Sequence, residues 1–102
     1  MAKKTPIKGL KLDQGKLRID LVDPEFVEQV ASVLTFGAKK YAPNNWQKVE
    51  DPVNRYYAAC MRHLIAWRKG EKTDPESGLS HLSHAATNLM FLSWFTRENE
   101  DG

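Results

Sequence analysis

A chain of 102 residues has room for one domain, and a core of that size is small enough that association with further copies is expected. A composition that is 41% hydrophobic and 27% charged excludes global disorder, and a net charge of +2 supplies no field that would demand nucleic acid or a membrane surface. The single cysteine, Cys60, excludes an internal disulfide, no apolar run approaches the ~20 residues of a membrane span, and the start lacks an apolar signal core, so a cytoplasmic protein is expected.

Residues 1–12 read as a flexible basic arm. Through residue 18, Lys3, Lys4, Lys8, Lys11, Lys16 and Arg18 are opposed only by Asp13, a positive inventory suited to phosphates. The following "GKLRIDLV" alternates and fits a short strand or an extended arm. "DPEFVEQVASVLTFG" predicts a first helix, with Asp23 as N-cap, Pro24 at the first helical position and Gly37 after its end. Phe26, Val27, Val30, Val33 and Leu34 form its apolar stripe. "GAKKYAPNNWQKVED" is then rich in turn formers, and at about fifteen residues it is longer than most connections.

"DPVNRYYAACMRHLIAWRKG" repeats the punctuation of the first helix with Asp51, Pro52 and Gly70, and places Tyr56, Tyr57, Cys60, Leu64 and Trp67 on a buried face. Cys60 among them reads as a buried, inert thiol. The third helix is expected to start near Ser77–Ser80 and run to about Arg97. It has no Lys, Arg, Asp or Glu between Leu79 and Thr96, and its apolar residues surround the axis. Such a helix needs cover on all sides, so it is expected at a homo-oligomer interface as well as in the core. It is also too apolar to read a nucleic-acid groove, which argues against a DNA-binding role. Residues 98–102 read as an acidic tail.

Two stretches carry chemistry. In "GEKTDPESGLSHLSHAATN", His81, His84 and Asn88 share a helix face at i, i+3, i+7, and Glu71, Asp74 and Glu76 reach the same helix start. His63, near the end of the second helix, comes close if the two helices form a hairpin. Carboxylates suit Mg²⁺ or Mn²⁺, and imidazoles suit Mn²⁺, Zn²⁺ or Fe²⁺. Acidic residues at a helix start also serve as plain caps. In "GAKKYAPNNW", Lys39 and Lys40 attract phosphate, Tyr41 and Trp46 offer stacking surfaces, and Asn45 offers an amide to a base edge. The bland alternative there is a surface loop with an aromatic lid on the core.

Taken together, "DQGKLRIDLV", "VLTFGAKKYAPNNW", "RHLIAWRKGE", "DPESGLSHLSHA" and the asparagine at position 88 resemble a small, mostly phage-encoded family, the amino-terminal domain of dATP/dGTP diphosphohydrolases. The resemblance spans roughly residues 13 to 95. It implies cleavage of a purine deoxynucleoside triphosphate to monophosphate and pyrophosphate with a divalent cation. The chain departs from the well-studied all-α NTP pyrophosphatases, which carry paired Glu-x-x-Glu and Glu-x-x-Asp motifs. Here only Glu25 and Glu28 show such spacing.

The resulting expectation is an all-α fold: a compact domain of three main helices (residues 13–97) that binds nucleotide, with an extended arm and an oligomeric assembly. Glu71, Asp74, Glu76 and His84 would hold Mg²⁺ or Mn²⁺, and Glu71, His81 and His84 would serve catalysis. Lys16, Arg18, Lys39, Lys40 and Arg62 would neutralise phosphates, Tyr41, Asn45 and Trp46 would hold the purine, and His63 and Asn88 would complete the pocket. A non-catalytic alternative uses the same pocket to sequester signalling nucleotides of host antiviral defence.

Overall fold

The computed structural model describes residues 9–101, with side chains described through residue 97. The expectations for Lys3, Lys4 and Lys8 lie outside the described residues. Three helices follow in order: α1 (Pro24–Lys40), α2 (Pro52–Arg68) and α3 (His81–Asp101), with short 3-10 turns at Ile19–Leu21 and Asn45–Lys48 and no strand among the described residues. None of the described helices is long and apolar enough to cross a membrane.

Helix α1 starts where its sequence says, with an Asp23 carboxylate oxygen accepting from the Glu25 N–H at 3.2 Å. Its end differs. Gly37 does not terminate it; the helix runs on to Lys40, and the Tyr41 N–H closes the last turn on the Gly37 carbonyl at 2.9 Å. A helical glycine costs only about 1 kcal/mol, and Lys39 and Lys40 suit the negative end of the helix dipole. Helix α2 also begins after Asp-Pro, but Asp51 sits in the left-handed region at φ 50° and its carboxylate accepts from the Asn54 side chain instead of capping the backbone.

Helices α2 and α3 form an antiparallel hairpin. Tyr56, early in α2, meets Phe91 and Phe95, late in α3, while His63, late in α2, meets His81 and His84 at the start of α3. Helix α1 lies across α3, where the Ser83 hydroxyl donates to Gln29 Oε1 at 2.8 Å. In α2, Cys60 turns inward as expected, but Tyr57 and Trp67 are exposed.

The first half of α3 reverses the expectation of an all-round apolar core helix. Its buried residues are polar: His81, Ser83, His84, Thr87 and Asn88, with Ala85 among them. Its large apolar residues Leu82, Leu89 and Met90 face outward, Leu89 being 56% exposed. The buried polar groups satisfy one another locally, Thr87 donating to the Ser83 carbonyl and Asn88 to the His84 carbonyl, both at 2.8 Å. No buried side-chain polar atom among the described residues lacks a partner.

The backbone of α3 continues to Asp101, so residues 98–101 prolong this helix where a separate tail was expected. Before α1 the arm stands off the helices, with Leu10, Leu12, Leu17, Ile19 and Leu21 exposed. The radius of gyration is accordingly 18.6 Å, against about 13 Å for a compact domain of 100 residues. The Ile19–Leu21 turn takes the place of the possible strand.

Candidate functional site

The histidine cluster is built by the connection between α2 and α3. Gly70 ends α2 at φ +108°, with its N–H on the Trp67 carbonyl and the Glu71 N–H on the Ala66 carbonyl, the Schellman pattern that only glycine adopts without strain. This turn delivers Glu71 to the end of the hairpin. The segment then folds back tightly: the Asp74 N–H donates to the Leu79 carbonyl at 2.8 Å, the Gly78 N–H to the Asp74 carbonyl at 2.7 Å, and Gly78 supplies the φ of +74° the turn requires. The Asp74 carboxylate accepts from the Ser77 N–H at 2.9 Å.

Three histidines converge on that turn. His63 Nδ1 and His81 Nδ1 lie 2.8 Å apart, and the other ring nitrogen of His81 is 2.7 Å from Glu71 Oε1. The His63 ring stacks on His84 with centroids 4.5 Å apart and planes within 9°, and His84 Nε2 is 2.7 Å from Ser77 Oγ. Hydrogen-bond logic fixes the protons. With Nε2–H of His81 donating to the Glu71 carboxylate, its Nδ1 accepts, so His63 Nδ1 donates.

Burial, and then the neighbouring His84 and His81, push His63 down to about 4. Burial likewise lowers His84, against an opposing pull from Asp74. Burial pushes Asp74 upward, but its bonds from Ser77 and the nearby imidazoles outweigh that and leave it below the usual carboxylate range. His63 and His84 are therefore neutral near pH 7 beside an ionised carboxylate. Ligand atoms of His63, Asp74 and His81 all fall within 4.8 Å of one another, a set able to hold a metal ion.

On the other side of His84 opens a cleft of about 970 Å³, walled by the last turns of α1, the 41–49 connection, α2 and α3. Its polar lining includes Lys40, Tyr41, Asn44, Asn45, Asn54, Arg55, Arg62, His84 and Asn88, and among the described residues no carboxylate lines it. Lys40 is held at its mouth by an ion pair with Glu76, which raises the affinity of that lysine for its proton. Trp46 lines the cleft but spends its ring on the protein: it stacks on Phe91 at 4.5 Å and meets Trp94 edge-on at 5.1 Å, while its carbonyl accepts from the Tyr56 hydroxyl at 2.9 Å.

Of the residues the sequence nominates, the structure brings Lys40, Tyr41, Asn45, Trp46, Arg62, His84 and Asn88 to the cleft, and His63, Glu71, Asp74 and His81 to the adjoining cluster. Glu76 pairs with Lys40 and hydrogen-bonds to none of the histidines, although its charge reaches His84. Lys39 is exposed outside the cleft lining, and Lys16 and Arg18 remain on the arm, where Arg18 pairs with Asp20 at 2.8 Å. Arg55 is a cleft residue that sequence reading passed over. The available signal was its i, i+7 spacing from Arg62, with small Ala58 and Ala59 between them leaving room.

The family described as dATP/dGTP diphosphohydrolase, N-terminal, matches residues 6–102. A dATP/dGTP diphosphohydrolase of Salmonella phage PMBT28 is 44% identical over 86 residues, which make up 84% of this chain and 29% of that protein. The chain thus spans less than a third of that relative's length. No solved structure matches it.

Proposed function

The chain belongs to the dATP/dGTP diphosphohydrolase amino-terminal family, and we propose that its cleft binds a purine deoxynucleoside triphosphate and adds water across the bond between the α- and β-phosphoryl groups, releasing monophosphate and pyrophosphate. The observation that carries this reading is a cleft with three cations, Lys40, Arg55 and Arg62, that ends on a neutral imidazole, His84. The three side chains offset triphosphate charge, the two arginines with planar donor forks that match phosphate oxygens. Asn45 and Asn54 offer amides to a base edge, and Tyr41, 64% exposed, offers a free ring face. His84, its Nε2–H donating to Ser77 Oγ and its ring backed by His63, accepts the proton of the attacking water on Nδ1. A divalent cation, when bound by Asp74 and the imidazoles beside it, would acidify water and offset phosphate charge.

Pyrophosphate release from dATP and dGTP, measured with the purified chain and Mg²⁺ or Mn²⁺, tests the reading. Turnover lost in His84→Gln supports it; turnover unchanged by that substitution removes His84 from the chemistry. One feature favours a second reading, non-catalytic capture of a nucleotide such as a signalling molecule of host antiviral defence: the carboxylates lie behind His84 and outside the cleft. Recovery of the bound nucleotide unaltered would select it.

We also infer a homo-oligomer, because Leu82, Leu89 and Met90 face outward from α3 while its polar residues are buried. Light scattering at micromolar concentration checks this, a stable monomer being the contrary result.

A further inference from the structure

We propose that His63, Asp74 and His81 form a site for a borderline transition-metal ion of the Zn²⁺, Co²⁺ or Mn²⁺ class, with Glu71 as its positioning residue, and that Mg²⁺ is a poor occupant. The inference concerns the same cluster as the proposed function but rests on geometry alone, and it stands whether or not nucleotide is turned over.

The three donors come from three separate places in the chain: late α2, the Asp74 turn and the first residue of α3. Sequence distance alone would not gather them; the Gly70 turn and the fold-back at Gly78 do. Their ligand atoms lie mutually within 4.8 Å. The two imidazole nitrogens face each other at 2.8 Å, within about half an ångström of the ~3.3 Å between two nitrogens bound tetrahedrally to one ion at 2.0–2.1 Å. In the metal-free chain a single proton bridges that gap. An ion can replace it once the two rings open by about half an ångström, His63 then carrying its proton on Nε2 and remaining neutral.

Glu71 supplies the second indication. Metal-bound histidines characteristically donate their remote N–H to a carboxylate, which fixes the tautomer and strengthens the ligand. Glu71 makes that contact with His81 Nε2 at 2.7 Å, leaving Nδ1 of His81 as the lone-pair face toward His63 and Asp74. Asp74 is held by the Ser77 N–H through Oδ2, and its Oδ1 has no hydrogen-bond partner among the described residues.

The donor chemistry decides the class of ion. Two imidazoles and one carboxylate suit zinc, cobalt or manganese, whereas Mg²⁺ takes oxygen ligands and retains its waters. This differs from the carboxylate-rich set of Glu71, Asp74, Glu76 and His84 read from the sequence. Glu71 is engaged one bond further out, and Glu76 is engaged by Lys40.

The test titrates chelator-stripped protein with Co²⁺, Zn²⁺, Mn²⁺ and Mg²⁺. The expected result is one Co²⁺ or Zn²⁺ per chain by elemental analysis, with a visible Co²⁺ absorption band that millimolar Mg²⁺ does not displace. His63→Ala and His81→Ala should abolish the band, and Glu71→Gln should keep the stoichiometry while weakening affinity about 10- to 100-fold. Should the histidine variants fail to fold, histidine ring nitrogen resonances of the unsubstituted chain decide. Zn²⁺ should shift Nδ1 of His63 and His81, move Nε2 of His63 to the protonated position and spare Nε2 of His81, which Glu71 holds throughout. No stoichiometric ion, ready displacement by Mg²⁺, or a Co²⁺ band indifferent to His63→Ala would overturn the proposal.

Discussion

The two ends of the α2–α3 hairpin are built from opposite materials. At one end Tyr56, Phe91, Trp94 and Phe95 close around Trp46, an aromatic cluster whose ring centroids lie 4.5 to 6.2 Å apart. At the other end three histidines, Asp74, Ser77 and Glu71 satisfy one another through short hydrogen bonds. The aromatic end gains stability from burying large apolar rings, and any ring of similar shape would serve it. The histidine end stabilises the fold only while every partner is present, because an unpaired buried polar group costs more than a hydrogen bond returns. A small domain has few places to bury polar chemistry, and here one end of a helix pair is given over to it while the other holds the pair together.

If that division is right, the largest stability losses belong to the aromatic end. Phe91→Ala, which removes the ring touching both Trp46 and Tyr56, should cost about 3 kcal/mol, a melting drop of roughly 12–24 °C in a domain of this size. Trp46→Ala should follow at about 2–3 kcal/mol, whereas Trp67→Ala, at a ring 41% exposed, should cost less than about 1 kcal/mol. Thermal melts followed by circular dichroism rank the three, and a larger loss for Trp67→Ala would break the comparison.

The tryptophans show where sequence reading reaches its limit. Trp67 sits on an apolar helix face and Trp46 in a turn-rich loop, so helical periodicity assigns the packing role to Trp67. Periodicity cannot see that the loop folds Trp46 back onto α3. The same limit applies to α3: the absence of charge between Leu79 and Thr96 correctly marks a helix with a buried face, but mean apolarity does not say which face is buried, and in its first half the answer is the polar one. By contrast, the Asp-Pro starts of α1 and α2 and the Gly70 exit of α2 were legible because capping is local chemistry. The gathering of His63, Asp74, His81 and His84 was partly legible from i, i+3 spacing and the hairpin. The outer position of Glu71 and the Glu76–Lys40 pair depend on how one twelve-residue connection folds, which residue types do not reveal.

At the histidine end the effects should be smaller and of a different kind. His81→Ala leaves His63 Nδ1 and Glu71 without partners, an expected loss of about 1–3 kcal/mol. His81→Asn, able to restore one bond, should recover part of it in the same melts, and equal losses for both would show that shape alone matters there. Acid should act on this end as well. His63 titrates at about 4 in the fold and 6.5 as a free side chain, and His84 is shifted the same way. Between these values the unfolded chain binds more protons than the folded one, so stability is complete above pH 6.5 and declines as pH falls toward 4. With chelator present, the melting temperature should be several degrees lower at pH 5 than at pH 7; a flat profile would place the imidazoles in water.

The smallest stability effect should come from the cleft wall between the two ends. Arg62→Ala is expected to weaken dATP binding about tenfold, or ~1.4 kcal/mol, while changing stability by less than about 0.5 kcal/mol. Calorimetric titration beside a melt separates the two, and unchanged affinity would take Arg62 out of the phosphate contacts.

The most direct test of the division of labour is the rate of pyrophosphate release from dATP at 20 °C, measured side by side for His84→Gln and Phe91→Leu. The account predicts that His84→Gln, which can keep the Ser77 contact, stays folded but loses turnover, while Phe91→Leu melts earlier yet retains most of its rate. Full turnover in His84→Gln, or a rate lost in folded Phe91→Leu and kept in its counterpart, would contradict it.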